Sequence, residues 1–341
     1  MAKTGLILLN LGSPDSTAVP DVKKYLIEFL MDERVIDKPY WLRTILVKWI
    51  IVPSRAPKSA EAYKGIWWPL GSPLKVITQQ QMDALRDKVD MSMSIAMRYG
   101  NPTPEAAYEA ILQQMPDVED IIIFPLYPHY AMSSYETAVE HMKDTYRRKG
   151  YKFKLKVIPP FYDHPAYIHA LAESMRPYLK DSFDQVLFSY HGIPERHLAK
   201  TDPSGKHPMF VTNCCTEQDP GHKTCYRYHV TKTTELVARE LGLSKEQYQL
   251  SYQSRLGRDP WLSPSTQNVI PEMPAKGIKR LKVVCPSFVS DCLETLEEIN
   301  MEAREDFLKA GGTSFDYIPC VNTQEVWIDT MVKLLDTAEP L

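Results

Sequence analysis

The feature that most constrains the fold is a regular alternation of strand-like and helix-like segments. Short apolar stretches predict β-strands at residues 5–11, 91–97, 120–126, 152–158, 184–190, 248–253, 280–285 and 314–318. Segments with helical periodicity lie between them, at residues 73–89, 104–115, 134–149, 165–179, 231–241 and 291–310. Strands that alternate with helices predict parallel sheets with helices on both faces.

The predicted strands fall into two groups of four, which indicates two similar doubly wound halves. In each group a long excursion follows the first strand, and the last three strands recur about every 30 residues, the length of a strand–helix–strand unit. We place the halves at residues 1–163 and 164–341, each with a four-stranded parallel sheet flanked by helices. Ligands bind at the carboxyl ends of such strands and between domains, so residues after strands are candidates for function.

Composition and charge exclude several classes of protein. Hydrophobic residues make up 44% of the chain and charged residues 24%, which is typical of a globular protein. A net charge of −3 over 341 residues gives no basis for nucleic-acid binding. No secretion signal is recognised at the N-terminus, so we expect a cytoplasmic protein with reduced cysteines.

The stretch at residues 41–52 (WLRTILVKWIIV) suggests contact with a membrane surface. It is much shorter than the roughly 20 apolar residues that span a bilayer. On a helix, Arg43, Thr44 and Lys48 share one side, and Trp, Leu, Ile and Val occupy the remainder. Such a helix either lies on anionic lipid or packs against the protein's own core.

His191 is a candidate general base. It follows the fifth predicted strand and precedes Gly192 and Pro194, which shape a sharp loop at the expected edge of a cleft. An imidazole with a pKa of about 6.5 accepts protons at neutral pH. The alternative is a loop histidine that only forms a hydrogen bond with the backbone.

Glu294, Glu298 and Glu302 are acids spaced by four residues, and Asp291 precedes them. On an α-helix they would form one stripe, which could bind a cation through oxygen ligands if it faced a cleft. Two alternatives remain open. Asp291 and Glu294 also fit a capping box, and the distal acids fit a solvated helix face.

Several motifs together resemble those of ferrochelatases. They run in order through nearly the whole chain: GLILLNLGSP at 5–14, GSPL at 71–74, RY at 98–99, FPLYPHY at 124–130, FYDHP at 161–165, SYHGIP at 189–194 and SDCLETLEE at 290–298. On these motifs the chain is identified as similar to the bacterial, protoporphyrin-type members of that family.

The resemblance implies a chelatase-like fold with a porphyrin between the halves, and insertion of Fe(II) into protoporphyrin IX to make haem b. It implies that His191 and Glu294 are catalytic, and that these two residues bind the metal together with Glu298 and Glu302. It assigns porphyrin binding to Leu11, Arg98, Tyr99, Tyr127 and Pro194. The alternatives are coproporphyrin III or another metal as substrate, or an inactive porphyrin or haem carrier.

The resemblance also implies partners and a location. A peripheral contact with the inner membrane fits an apolar substrate, and both a monomer and a homodimer remain open. Cys292 stands where many relatives have histidine, so the resemblance does not support residue 292 as an iron ligand.

Some bacterial relatives hold a [2Fe–2S] cluster in an internal cysteine-rich segment, and this chain has a polar, turn-rich stretch at residues 201–224. Cys214 and Cys215 lie in it and Cys225 follows it. A cluster normally takes four cysteines, and His222, His229, Cys292 or Cys320 would have to supply the fourth ligand. A zinc site and free thiols are the alternatives.

Overall fold

The computed structural model describes residues 3–205, 214–216, 219–255 and 259–341. The chain divides into two compact units. The first unit comprises Met1–Tyr127, Met132–Pro159 and Met331–Leu341, and the second comprises Pro128–Ala131 and Pro160–Thr330. The predicted halves, 1–163 and 164–341, assign residues 128–131, 160–163 and 331–341 differently.

The first unit is built on a parallel sheet with one antiparallel edge strand. Its strands are β1 (Thr4–Asn10), β2 (Ser92–Met97), β3 (Asp120–Pro125), β4 (Lys154–Val157) and β9 (Glu339–Pro340), in the order β2-β1-β3-β4-β9. All of β3 is buried, as its continuous apolar sequence predicts. The two-residue β9 pairs antiparallel with β4 and was not predicted.

The second unit repeats this topology. Its strands are β5 (Gln185–His191), β6 (Tyr248–Gln253), β7 (Arg280–Val284) and β8 (Ser314–Ile318), all parallel, in the order β6-β5-β7-β8. In both sheets the first strand of the group lies between the second and the third. The predicted fold class, parallel sheets flanked by helices, is therefore confirmed, and β9 is an addition to the first sheet.

Helices connect the strands in both units. The α-helices are α1 (Val19–Leu30), α2 (Tyr40–Ile45), α3 (Val52–Ile66), α4 (Pro73–Arg86), α5 (Pro104–Gln114), α6 (Thr137–Lys149), α7 (Pro165–Met175), α8 (Glu195–Thr201), α9 (Tyr226–Leu241), α10 (Thr266–Glu272), α11 (Arg304–Lys309) and α12 (Glu325–Leu334). Short 3₁₀ segments occupy Arg176–Leu179, Pro220–Lys223, Pro274–Lys276 and Leu335–Thr337.

Local sequence explains where several of these helices begin and end. A proline in the first turn starts α4, α5 and α7, a position at which its missing N–H is not needed. The Thr103 side chain caps α5 by accepting a hydrogen bond from the Ala106 N–H. Gly150 and Gly242 end α6 and α9 in the left-handed conformation that glycine adopts easily.

Three segments of the described residues are π-helical, namely Leu46–Ile51, Met132–Glu136 and Glu294–Ala303. Each lies in or beside a stretch that the sequence predicts as α-helix or membrane-surface helix. An apolar period of three to four residues does not separate i→i+4 from i→i+5 hydrogen bonding, so the sequence could not give this difference.

Candidate active site

His191 is the last residue of β5, at the carboxyl end of the second sheet. Its Nδ1 lies 2.7 Å from the carbonyl oxygen of Gly192, which can only accept, so the Nδ1–H donates. In the neutral ring Nε2 is therefore the unprotonated nitrogen. The backbone bond expected of a structural histidine is present, and the same bond fixes the tautomer that a general base requires.

The loop after His191 is shaped by close backbone packing. The Gly192 N–H donates to the Gln253 carbonyl at 2.8 Å. A Cβ at position 192 would lie 2.9 Å from that carbonyl oxygen and 3.2 Å from the Trp261 ring, so glycine is required. Pro194 is buried, forms a bridge with Trp261 and precedes α8.

Gln253 connects the His191 strand with the start of the acidic helix. It lies opposite His191 in the pairing of β5 with β6. Its side-chain oxygen accepts from the Ser189 hydroxyl at 2.7 Å, and its amide nitrogen donates to the Glu294 carbonyl at 3.4 Å. One buried amide thus ties together the segments that carry His191 and Glu294.

The acidic residues lie on the π-helix Glu294–Ala303, not on the α-helix that the sequence predicts. Glu294 and Glu298 are half-buried and Glu302 is exposed. A carboxylate oxygen of Glu298 accepts from the Ser254 hydroxyl. A stripe of Glu294, Glu298 and Glu302 along one face stays a prediction, now on a π-helix whose hydrogen bonds join residue i to i+5.

Glu297, which the sequence analysis overlooked, interacts with Glu302 five residues later. Burial, and then the charge of Glu302, raises the pKa of Glu297 to about 7. Two carboxylates that approach each other favour sharing one proton. The π-helical spacing is the signal that identifies this pair, and it is visible only in the structure.

Asp291 does not cap the helix, so the capping-box alternative is wrong. Its buried carboxylate accepts from the Tyr317 hydroxyl, from the Thr295 hydroxyl at 3.1 Å, from the Asn322 amide at 2.7 Å and from the Cys320 N–H at 3.3 Å. None of these donors is a backbone N–H of the helix that follows. Asp291 instead anchors the loop before the helix to the segment after β8.

Cys292 is buried, two residues before Glu294. Burial, together with the charge of Glu294, raises the pKa of this thiol well above its ordinary value. A thiol held protonated is a poor metal ligand.

In the first unit, Leu11 and Tyr127 follow the neighbouring strands β1 and β3. Leu11 is half-buried, and its N–H donates to the Asn10 side chain at 2.8 Å. Gly12 comes next with a φ of +100°, and a Cβ there would lie 1.9 Å from the Tyr99 carbonyl oxygen. Tyr127 is buried, and its hydroxyl finds no hydrogen-bond partner among the residues that the structure describes.

Arg98 and Tyr99 bind an internal carboxylate. Arg98 pairs with Asp32 and donates to the Thr137 hydroxyl at 2.8 Å. Tyr99 is fully buried, and its hydroxyl donates to Asp32 at 2.8 Å. The Arg98 guanidinium stacks over the Tyr99 ring, 4.3 Å from its centroid. Direct contact of these two residues with the porphyrin stays a prediction. In the structure, Arg98 and Tyr99 are held in place by their hydrogen bonds to Asp32.

The exposed surface of residues 40–50 is mainly apolar, with Lys48 as an exposed cation. Trp41 and Trp49 are 65% and 77% exposed, and Ile45 and Ile50 are 46% and 58% exposed. Arg43, predicted on the polar side, is buried and donates to the Ile36 and Lys38 carbonyls. Val47 and Val52 of this stretch are buried in the protein's own core, whereas Trp41, Ile45, Trp49 and Ile50 are exposed. No helix in the described ranges is long and apolar enough to span a membrane.

The cysteines do not form a metal centre in the part of the chain that the structure describes. The sulfurs of Cys214 and Cys215 are 3.8 Å apart. Cys225 caps α9 by accepting from the Tyr228 N–H at 3.5 Å. Burial raises the pKa of the Cys215 thiol to about 12 and also raises that of Cys225. Residues 206–213 and 217–218 of the predicted loop lie outside the described residues.

The four residues considered for a fourth cluster ligand have other partners. His229 donates from Nε2 to the His222 carbonyl at 2.8 Å and accepts at Nδ1 from the Tyr130 N–H. The His222 ring stacks on Tyr228. Cys292 and Cys320 are buried beside Glu294 and Tyr317. Within the described ranges, none of these residues forms a group with Cys214, Cys215 and Cys225 that is placed so as to hold a metal ion.

Across the described ranges no three His, Cys, Asp or Glu side chains are placed so as to hold a metal ion. The predicted set of His191, Glu294, Glu298 and Glu302 is therefore not assembled as a resident metal centre. All four residues nevertheless belong to the second unit, at the carboxyl end of its sheet and on the π-helix.

Comparison with solved structures supports the fold. The structure of SirB from Bacillus subtilis with Fe³⁺ matches with a TM-score of 0.55 at 12% identity, covering 98% of this chain and 94% of that one. A sirohydrochlorin chelatase SirB from Bacillus subtilis subspecies spizizenii, in complex with cobalt, matches with a TM-score of 0.51 at 11% identity, covering 98% and 94% of the two chains. At such identities the likeness shows the fold alone.

Comparison of sequences identifies the family. The ferrochelatase family model matches residues 3–339. A ferrochelatase from Opitutus terrae is 46% identical, over 99% of this chain and 98% of its own. Ferrochelatases from Stutzerimonas stutzeri and Porphyromonas gingivalis are 42% and 43% identical, over 99% and 98% of this chain and 99% and 96% of their own. The chain therefore belongs to the ferrochelatase family, enzymes that insert iron into a porphyrin.

Proposed function

We propose that this ferrochelatase inserts Fe(II) into protoporphyrin IX to form haem b, with His191 and Glu294 as its catalytic residues. The observation that carries the proposal is the hydrogen bond from His191 Nδ1 to the Gly192 carbonyl. With Nδ1 protonated, Nε2 is the nitrogen that can accept a proton. The reaction itself, insertion of iron into a porphyrin, follows from membership of the ferrochelatase family. No redox change is required, because iron enters and leaves the reaction as Fe(II).

The reaction requires proton removal as well as metal entry. Two pyrrole N–H protons leave the free-base porphyrin as one Fe(II) enters, so a base near the ring is needed. A neutral imidazole accepts one such proton through Nε2 and releases it to solvent before it accepts the second. A carboxylate such as Glu294 offers a hard oxygen ligand to Fe(II) while the ion loses water.

The remaining predicted residues have supporting roles in the proposal. In the first unit, Leu11 and Tyr127 present apolar surface at strand ends, and the Asp32 network holds Arg98 and Tyr99 in place. In the second unit, buried Pro194 stiffens the loop after His191. Rigid walls of this kind can bend a bound ring, which is strain supplied by binding energy.

An anaerobic assay with Fe(II) tests the proposal by following the loss of free-base porphyrin fluorescence. Protoporphyrin IX and coproporphyrin III are compared in turn. We expect protoporphyrin IX to be metallated rapidly, His191→Ala to reduce metallation to a small residual rate while porphyrin still binds, and Glu294→Gln to lower kcat strongly. Glu305→Gln, at an exposed position on α11, is the matched control and should retain full activity.

Each other outcome of that assay has a defined meaning. Faster turnover of coproporphyrin III would make coproporphyrin III the substrate in place of protoporphyrin IX. Full activity of His191→Ala would overturn its assignment as the base. Binding of porphyrin with no metallation by the wild-type chain would favour a carrier.

We also propose a cytoplasmic enzyme that contacts the inner membrane through the apolar surface of residues 40–50. Exposed Trp41 and Trp49, with the exposed cation Lys48 between them, suit the interface of an anionic bilayer. Sedimentation with vesicles that contain anionic lipid should show binding that falls in Trp41→Ser and Trp49→Ser. The control is Leu308→Ser, which also replaces an exposed apolar side chain by serine, at a site 45% exposed in the second unit. Equal binding by all four chains would remove the membrane proposal.

Fe(II) is a substrate in this proposal, and no step uses the cysteines. A cluster bound by Cys214, Cys215 and Cys225 would give absorption bands at roughly 330–460 nm, an expectation for cysteine-ligated iron–sulfur. The visible spectrum of anaerobically purified protein should lack these bands. Bands that disappear in Cys214→Ser would show a cluster.

A further inference from the structure

The backbone of His191 is held by two hydroxyl groups that no sequence motif pointed to. The Tyr226 hydroxyl lies 2.8 Å from the His191 carbonyl oxygen, and the Ser287 hydroxyl lies 3.3 Å from the His191 nitrogen. The two hydroxyl oxygens are 2.8 Å from each other. Tyr226 begins α9 and Ser287 follows β7, so three separate elements meet at this point.

The directions of these hydrogen bonds follow from the groups involved. A carbonyl oxygen can only accept, so the Tyr226 O–H donates to it. The Ser287 O–H must then donate to the Tyr226 oxygen, and the Ser287 oxygen accepts from the His191 N–H. The result is a closed ring of three hydrogen bonds that starts and ends on the backbone of His191, and we call it the hydroxyl ring.

The hydroxyl ring takes the place of a missing strand partner. Pairing of β5 with β7 ends at Phe188 and Val284, three residues before His191. On the other side, β6 still pairs with His191 through Gln253. The hydroxyl ring supplies partners for the backbone N–H and C=O of His191 beyond the point where pairing with β7 ends.

Fixing the backbone also fixes the imidazole. The N–H and the C=O of His191 belong to the two peptide groups that flank its Cα. The hydroxyl ring therefore restrains both backbone torsions of His191, φ and ψ. The second of these peptide groups leads into Gly192, whose carbonyl accepts from the His191 Nδ1–H. The orientation of the His191 imidazole and its choice of tautomer therefore both depend on these backbone torsions.

The surroundings keep the hydroxyl ring intact. Tyr226 is 5% exposed, and burial raises its pKa, so the hydroxyl stays protonated and remains a donor. The His129 ring packs edge-on against Tyr226 and Tyr190, which limits movement of the phenol. A buried hydroxyl bonded in this way is costly to displace.

We infer that Tyr226 and Ser287 are positioning residues, whose hydroxyl groups hold His191 in the orientation and tautomer used for proton transfer. The inference rests on the proposed function, since it assumes that His191 is the base. Neither side chain is proposed to touch the porphyrin or the iron.

Kinetics of Tyr226→Phe and Ser287→Ala in the full chain test the inference. We expect kcat for iron insertion to fall by about tenfold in each variant, because a small misplacement of a reacting group is costly. The porphyrin KM and the Kd without metal should stay within about twofold of wild type, since only orientation is lost. Ser287→Thr keeps the hydroxyl and should keep the rate.

Two matched controls lose the same kind of hydrogen bond elsewhere. Tyr108→Phe removes a buried hydroxyl that donates to the Met142 carbonyl, and Ser174→Ala removes one that donates to the Leu171 carbonyl. Both should retain wild-type kcat. Wild-type kcat in Tyr226→Phe and Ser287→Ala would overturn the inference while leaving the proposed function intact.

A double-mutant cycle separates positioning from a general loss of structure. In a His191→Ala background, adding Ser287→Ala should cause no further loss of residual rate, because the group being positioned is gone. A second loss of equal size would show that Ser287 acts independently of His191, which contradicts the inference.

Nitrogen NMR of the His191 side chain gives a readout that does not depend on activity. We expect a protonated Nδ1 in the wild-type chain at neutral pH and a mixture of tautomers in Tyr226→Phe and Ser287→Ala. An unchanged Nδ1–H tautomer in both variants would contradict the inference. If the wild-type chain fails to insert iron, the proposed function fails, and the NMR result still decides whether the hydroxyl ring orients His191.

Discussion

At the scale of single residues, Asp32 is a buried carboxylate that holds Arg98 and Tyr99 in place, although it lies in no motif that the sequence analysis identified. Its carboxylate receives hydrogen bonds from Arg98, Tyr99, Thr137 and the Arg34 N–H. The Asp32 side chain is only 4% exposed and that of Arg98 only 13%. A cation and a phenol near β2 are thus fixed by one anion from the loop after α1.

Burial alone would raise the pKa of Asp32, but the Thr137 hydrogen bond and the Arg98 charge outweigh it and lower the pKa below its ordinary value. Because the folded pKa lies below the unfolded value of about 3.9, the carboxylate stabilises the fold above that pH. This stabilisation is lost as the pH falls through the folded pKa.

We predict that Asp32→Asn lowers the free energy of unfolding at pH 7 by about 3–5 kcal/mol, the cost of leaving a buried cation unpaired. The gap between variant and wild type should shrink as the pH falls below about 4. Urea denaturation at several pH values measures both effects. Asp117→Asn, which removes an exposed ion pair with Lys3, is the control and should have no measurable effect. A constant gap at all pH values would contradict the prediction.

Other single residues show what sequence could and could not give. His191, Glu294 and Pro194 could be proposed as site residues because each follows or flanks a recognisable strand or motif. Tyr226 and Ser287 are separated from His191 by 35 and 96 residues. Their relation to His191 is a product of the fold, and no local pattern carries it.

At the scale of elements, the π-helix Glu294–Ala303 changes which acids are neighbours. Ile299 and Ala303 from this helix are buried in one cluster with Leu187, Leu281 and Phe307. The opposite faces carry the acids, and the i→i+5 bonding brings Glu297 towards Glu302. The sequence predicts the acids and their helix, but the hydrogen-bond register that pairs them depends on packing.

We predict that Glu297→Gln becomes more stable relative to wild type as the pH rises from about 4.3 to about 7. The folded pKa of Glu297, about 7, lies above its unfolded value, so the folded protein binds more protons in this interval and its stability falls with rising pH. The gain is modest, because solvent screens a half-exposed pair. Metal-free thermal unfolding at pH 5 and pH 8 measures it.

The control for that prediction is Glu305→Gln, which removes an exposed carboxylate that pairs with Lys309. It should show no gain between pH 5 and pH 8. The same gain in both variants would indicate a general charge effect, and the Glu297–Glu302 pair would no longer explain it.

At the scale of the whole molecule, the positions of the eight parallel strands follow from the sequence, and the closing strand β9 does not. Short segments of five to seven residues predicted the eight parallel strands, and the two units share one topology. Glu339 and Pro340 have neither apolar character nor β-propensity, and both are exposed. Their pairing with β4 therefore leaves no pattern that sequence reasoning could detect.

We predict that removing residues 338–341 lowers the free energy of unfolding by about 1–2 kcal/mol, the net value of one or two backbone hydrogen bonds. The pairing lost includes the bond from the Leu341 N–H to the Leu155 carbonyl at 2.9 Å. Denaturant unfolding measures the change. Glu339→Ala keeps the backbone and should match the wild type. Equal stability of the truncated chain would show that β9 contributes nothing.

The return of residues 331–341 to the first unit has a consequence for synthesis on the ribosome. Those residues are made only after the whole of Pro160–Thr330, which takes on the order of 10–30 seconds at typical translation rates. During that interval the nascent first sheet ends at an open β4. Lys154 and Lys156 stand on that strand, and charged lysines at an open edge discourage pairing with another chain. The two lysines therefore disfavour edge-to-edge aggregation of the nascent chain until residues 339–340 pair with β4.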